Sequence, residues 1–160
     1  MKIAAHQAQA VANFNTMKIE NAANYREEVI TLLIAQNLPV TDLPPTLDNF
    51  LVVLQNDEVI GVAGLEVYGN YGLLRSLAVH PDFRGQGIAD QLLQDILALA
   101  LSKDITTLYL LTETAPLYFE RKGFTSIKRA EVPDGIQQSS EFSHVCPQSA
   151  IVMKKNIELK

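Results

Sequence analysis

Within the run His80-Pro81-Asp82-Phe83-Arg84-Gly85-Gln86-Gly87-Ile88-Ala89, two glycines, a cation and the start of a helical pattern fall within a few residues of one another. Gly85 and Gly87 let the backbone approach a ligand with no Cβ in the way. The N–H groups that open the helix have no acceptor inside it and lie at the positive end of its dipole. Arg84 adds a fixed positive charge beside them. This chemistry suits a diphosphate held by main-chain amides. A Walker-type loop needs Gly-Lys-Ser/Thr, which Gly87-Ile88-Ala89 does not supply. A dinucleotide fingerprint needs G-x-G-x-x-G tight against its strand, and here Asp90 stands in the last position, with several residues between strand and glycine. A strand-to-helix turn with no ligand is the structural alternative.

Arg75 is the second residue of interest, because it lies in the apolar run Leu73 to Val79. In a regular strand it shares a face with Leu77 and Val79, unless a bulge intervenes. A charged side chain in a buried strand needs a partner. One reading is a salt bridge, with Glu66 on the adjoining strand as the partner. The other is a fork for a substrate carboxylate, which guanidinium geometry matches. Glu66 is correspondingly a general base, direct or through water, or only the partner of Arg75. One cysteine, Cys146, and three scattered histidines, His6, His80 and His144, give no metal-ligand spacing, so no metal is expected. The single cysteine also allows no internal disulfide.

The elements that must position these residues read as follows. Thr16 to Glu20 is a short strand, and Asn21 to Asn37 carries a helical stripe at Tyr25, Val29, Leu32 and Leu33. The three prolines in Leu38 to Pro45 make a rigid surface connection. Phe50 to Leu54 and Val59 to Tyr68 form a hairpin, and Leu73 to Val79 is the next strand. Ile88 to Leu101 repeats its apolar pairs every four residues with polar residues opposite, an amphipathic helix. Thr106 to Leu111 is a buried strand. Thr114 to Arg121 is a short helix ended by Gly123. Phe124 to Arg129 and Ala150 to Lys154 are closing strands around a polar segment, Pro133 to Ser149. The order implies an α/β fold with a mixed sheet.

At 160 residues, with 48% hydrophobic and 19% charged residues, the chain reads as one domain. Residues 1–15 form an N-terminal extension and 16–160 the domain itself. The net charge of −5 argues against nucleic-acid and anionic-membrane partners. No apolar run reaches the length of a membrane span, and the N-terminus has no signal-peptide core, so a cytoplasmic location is expected.

Arg84-Gly85-Gln86-Gly87-Ile88-Ala89 matches each fixed position of Arg/Gln-x-x-Gly-x-Gly/Ala, and with its lead-in Leu77 to Phe83 it resembles the coenzyme A loop of the GNAT superfamily of N-acetyltransferases. The element order from about residue 16 resembles that fold too. Leu110-Leu111-Thr112-Glu113-Thr114-Ala115 and Phe119-Glu120-Arg121-Lys122-Gly123-Phe124 narrow the likeness to two groups: the arsenic-resistance type and the acetyltransferase domain of N-acetylglutamate synthase. Gly64-Leu65-Glu66, Leu73 to Val79 and Glu141-Phe142 to Cys146-Pro147 add to the likeness with the first.

The resemblance implies six to seven strands with about four helices, and a fourth and fifth strand that splay to admit acetyl-CoA as cosubstrate. It places backbone groups of Leu77 and Val79 on the pantetheine arm, with the Val79 amide on the thioester oxygen. The N–H groups of Gly85, Gln86, Gly87, Ile88 and Ala89, with Arg84 nearby, hold the diphosphate. The family's tyrosine acid falls at Phe119 here, with Tyr118 one place earlier, so Tyr118 is either the leaving-group acid or a core residue. Thr112 replaces the usual asparagine. Arg75, Glu66 and Ser140 border the acceptor, with Ser139, Glu141, Ser143, His144 and Cys146 in the same late segment. The implied activity is acetyl transfer to a small amine, an amino acid or analogue, by a protein that could form a homodimer. Protein or aminoglycoside amines, or a non-catalytic CoA-binding sensor, are the alternatives.

Overall fold

The computed structural model describes residues 17–139, 142 and 149–157. The extension over 1–15 and the site residues expected at Ser140, Glu141, Ser143, His144 and Cys146 lie outside them. Strand β1 (Lys18–Asn21) leads through a 3-10 turn into helix α1 (Arg26–Ala35). Strands β2 (Phe50–Gln55), β3 (Glu58–Tyr68) and β4 (Tyr71–Val79) form a meander. Its first turn carries Asn56 and Asp57 both at positive φ, as a two-residue type I′ hairpin turn requires. Helix α2 (Ile88–Ser102), strand β5 (Thr107–Thr112), helix α3 (Pro116–Arg121), strand β6 (Thr125–Ile127), helix α4 (Asp134–Gln137) and strand β7 (Ile151–Asn156) follow. Helix α4 falls within the stretch read as a polar connection; four residues are too few for periodicity to reveal a helix.

Among the described residues the sheet has seven strands in the order β1-β2-β3-β4-β5-β7-β6. Every pairing is antiparallel except β4 with β5. The two faces bury different helices. The α2 stripe Ile88, Leu92, Leu93, Ile96 and Ala100 packs with Ala63, Leu65, Leu74 and Leu108. On the other face Val29, Leu32 and Leu33 of α1 pack with Phe50, Val52, Val62 and Ala78. A third cluster, with Leu73, Tyr109, Val132, Ile136 and Val152, covers that second face farther along, under α4. Gly64 is required where β2 and β3 cross: a Cβ there would lie 2.4 Å from the Phe50 ring.

The parallel pair is brief. Tyr71, Gly72 and Leu73 face Thr107, Leu108 and Tyr109, and there the ladder stops. Leu74 to Val79 and Leu110 to Thr112 run on unpaired with each other, so the splay implied by the resemblance is present. Among the described residues no helix is long and apolar enough to cross a membrane.

Candidate active site

Where β4 and β5 part, a cleft of about 990 Å³ opens, lined by Leu74 to Val79, the glycine loop, Leu110 to Ala115 and Tyr118. Its backbone is set by a bulge. Gly64 faces Arg75 while Val62 faces Ala78, so β4 carries one residue more than β3 between these pairs. Ser76 absorbs it with φ 60°. An extra residue changes the phase of side-chain alternation. Leu77 and Val79 therefore pack toward α2. Arg75 instead lies on the α1 side, with its guanidinium carbon 6.0 Å from the Phe50 ring. This corrects the shared face of a regular strand; apolar spacing alone does not show the bulge.

Beyond the bulge, the His80 N–H donates to the Ile60 carbonyl at 2.8 Å. Successive amides of a strand point to opposite sides. The Val79 N–H is therefore turned away from β3, toward the side that β5 has left. The Val79 carbonyl accepts from Arg84 Nε at 3.3 Å. Another Arg84 nitrogen donates to Gln36 Oε1 at the end of α1. Arg84 thus ties the loop to both β4 and α1.

Gly85 and Gly87 have φ of 79° and 80°. A Cβ at either would meet nothing within 4 Å, so the space beside the loop is open and the backbone conformation is what calls for glycine. Gly87 is the N-cap of α2 and no side chain caps the helix. The first N–H groups of α2 are left for an outside acceptor. An open, uncapped, amide-lined helix start fits a diphosphate.

Across the mouth of the cleft, Tyr118 and Phe119 divide two roles. Phe119 is buried and stacks edge-on against Phe124 with centroids 5.7 Å apart. Tyr118 lines the cleft and donates its phenol proton to Asp90 Oδ1 at 2.8 Å. Lys122 Nζ holds the same oxygen at 2.9 Å. Burial, then the bond to Asp90, pushes the Tyr118 phenol above the ordinary tyrosine value. Lys122 and then Tyr118 hold the Asp90 carboxyl below its ordinary value. Thr112, at the position of the usual asparagine, accepts from the Ala115 N–H at 3.1 Å and fixes the turn into α3.

Arg75 takes the salt-bridged arrangement. Its guanidinium donates to both oxygens of Asp42, at 2.8 and 2.9 Å, and to Glu66 Oε2 at 2.7 Å. Nε donates to Ser76 Oγ at 3.1 Å. The other Glu66 oxygen accepts from the Tyr68 hydroxyl. Burial, then Glu66, pushes that phenol upward as well. Asp42 was not singled out by its sequence, because it stands in the proline-rich connection. That connection is not a bare surface strap: Leu43 and Leu47 are buried in it, and the Asp42 side chain is 4% exposed. The signal available was Arg75 itself, which demands anions.

Beside this ion cluster lies a second cavity of about 620 Å³, whose lining includes Asp42, Asp48, Glu66, Tyr68 and Ser139. The structure thus brings Leu77, Val79, Arg84, the glycines, Ile88, Ala89 and Tyr118 to one cleft. Glu66 lies against Arg75 at the wall of the other cavity.

Residues 46–126 match the family model of the acetyltransferase (GNAT) domain, and the chain belongs to that family. It is 28% identical over 94 residues to the amino-acid acetyltransferase of Escherichia coli K12, covering 58% of this chain and 21% of that protein. Against the amino-acid acetyltransferase of Pectobacterium carotovorum the identity is 32% over 80 residues, 49% of this chain and 18% of that one. The chain therefore spans about a fifth of the length of these relatives. Among solved structures, N-acetylglutamate synthase from Neisseria gonorrhoeae, complexed with coenzyme A and N-acetyl-glutamate, superposes with a TM-score of 0.74 at 17% identity, over 89% of this chain and 35% of that one. A GNAT acetyltransferase from Staphylococcus aureus superposes with a TM-score of 0.71 at 21% identity, over 89% and 99% of the two chains. These superpositions show the fold.

Proposed function

We propose that this chain transfers the acetyl group of acetyl-CoA to the amine of a small molecule of the amino-acid class. The observation that carries this reading is the β4–β5 gap ending at an uncapped helix start behind two left-handed glycines. The amides of Gly85, Gln86, Gly87, Ile88 and Ala89 take the diphosphate, with Arg84 alongside. Backbone groups of Leu77 and Val79 align the pantetheine arm, and the Val79 N–H meets the thioester oxygen, where negative charge grows during attack. The amine nitrogen bonds to the carbonyl carbon, the C–S bond breaks, and the leaving sulfur takes a proton. Tyr118 is the donor.

An α-amine is mostly protonated at neutral pH and must lose a proton first. Glu66 receives it through water, since Arg75 and Tyr68 already occupy its two oxygens. Arg75, whose terminal nitrogens already bind carboxylates, holds Asp42 and Glu66 in place and itself lines the β4–β5 cleft. The amino-acid class is supported by the names of the relatives above. One observation favours a second reading, a cationic amine: the cavity beside Glu66 also holds Asp42 and Asp48. Thiol release from acetyl-CoA, followed with a panel of amino acids, diamines and aminoglycosides, tests both. Turnover with an amino acid supports the first reading, and turnover confined to cationic amines supports the second. Tight acetyl-CoA binding with release on no acceptor would leave a CoA-binding sensor.

A further inference from the structure

Asp90 occupies the first turn of α2, directly after the glycine loop. A carboxylate suits a helix N-terminus, but a diphosphate bound at that same end places like charge beside it. Something must offset that repulsion, and two contacts do. Lys122 Nζ lies 2.9 Å from Asp90 Oδ1, and the Tyr118 hydroxyl donates to that oxygen at 2.8 Å. Lys122 also lies over the Tyr118 ring, 5.6 Å from its centroid. The three residues span the cleft mouth, from the helix that bears the loop to the helix that bears the phenol.

We propose that Asp90, neutralised by Lys122, is a positioning residue that holds the Tyr118 phenol in the cleft, ready to protonate the leaving sulfur. This rests on the reading of Tyr118 as the donor. Tyr118 sits one residue out of the family's register, and one residue on a helix is about 100° of rotation. A contact from outside its own helix is what turns it back into the cleft, while Phe119 takes the core position. In the transfer the phenol turns its proton from Asp90 to the sulfur, the O–H bond of Tyr118 breaks as the S–H bond forms, and the tyrosinate left behind has the Lys122 ammonium at its ring until solvent returns the proton. The charged groups around the phenol are Asp90 from α2, Arg121 from its own helix and Lys122 at that helix's C-cap. Glu113 and Arg84 line the same cleft.

Two measurements on the whole chain test this. In the free protein, tyrosine ionisation is followed by absorbance near 295 nm in wild type, Asp90→Asn and Tyr118→Phe. Asp90→Asn is expected to move one ionisation down by half a pH unit or more, and the moving component is expected to be missing in Asp90→Asn/Tyr118→Phe. No movement overturns the proposal. In the thiol-release assay, Asp90→Ala is expected to lower kcat about tenfold or more while changing KM for acetyl-CoA less than twofold. Asp90→Asn, which keeps an acceptor oxygen, is expected to recover most of that loss, with the alkaline limb of kcat displaced to lower pH. Equal losses in the two variants with an unmoved limb would make Asp90 a structural bridge and overturn the proposal. A Tyr118→Phe enzyme with full kcat would remove the donor reading instead, and the ionisation measurement, which needs no acceptor, separates that failure from this one.

Discussion

The buried guanidinium of Arg75, a residue 3% exposed, meets the carboxylates of Asp42 and Glu66. Charges removed from water need good geometry to offset their desolvation, and removing one partner leaves the others buried and unpaired. Arg75→Ala is therefore expected to cost about 3–5 kcal/mol. In a domain of this size that lowers Tm by roughly 10 °C, readable by thermal unfolding. Arg75→Lys is expected to recover only part of the loss, because an ammonium cannot replace the two-pronged contact. A variant that unfolds like wild type would show that Asp42 and Glu66 do not depend on this cation. Tyr68, hydrogen-bonded to the same Glu66, gives a pH signature. Its folded phenol lies above the unfolded value of 10.0, raised by burial and by Glu66. A raised folded value means that the contribution is intact below pH 10 and is lost as pH rises beyond it. Denaturant unfolding at pH 8 and pH 11 is expected to show a drop in stability that is smaller in Tyr68→Phe. The Arg75–Glu66 pair was legible in the sequence because a charge in an apolar strand declares its need of a counter-ion. Asp42 was hidden by a segment whose prolines look like surface.

Periodicity marks the elements to within a few residues wherever the repeat is long. The α2 stripe, the β2–β3 hairpin with Asn56-Asp57 and the buried run of β5 are the clear cases. Bulges leave no such mark. Ser76 is an ordinary residue for a strand, yet its φ of 60° sets which way Arg75, Leu77 and Val79 face. A β-branched residue is poorly accommodated at positive φ, and glycine is well accommodated. Ser76→Val is expected to lose about 1–3 kcal/mol and to weaken acetyl-CoA binding. Ser76→Gly is expected to stay within about 1 kcal/mol of wild type. Denaturant melts and acetyl-CoA titrations of the two variants read this directly. Equal behaviour of valine and glycine would mean that the bulge relaxes without consequence for the cleft.

Among the described residues the fold is a sheet that stays continuous except along one line. Six pairings hold seven strands together, and the β4–β5 pairing runs for only three residue pairs before the strands diverge. Helices α1 and α2 cover opposite faces, so the opening is held by cores that do not depend on a ligand. A bound acetyl-CoA at a hundred times its Kd is expected to add about 2.7 kcal/mol to stability. The lining of the second cavity, with Asp42, Asp48 and Glu66, admits two amine classes, amino acids and cationic amines. Diphosphate capture by the helix start is tested most directly by isothermal calorimetry of acetyl-CoA against wild type and Gly87→Val. Valine at a φ of 80° strains the loop and turns its amides away. The expected result is saturable binding of one acetyl-CoA per chain, weakened about tenfold or more by the valine. No heat with the wild type, or equal affinity in both proteins, would contradict the account.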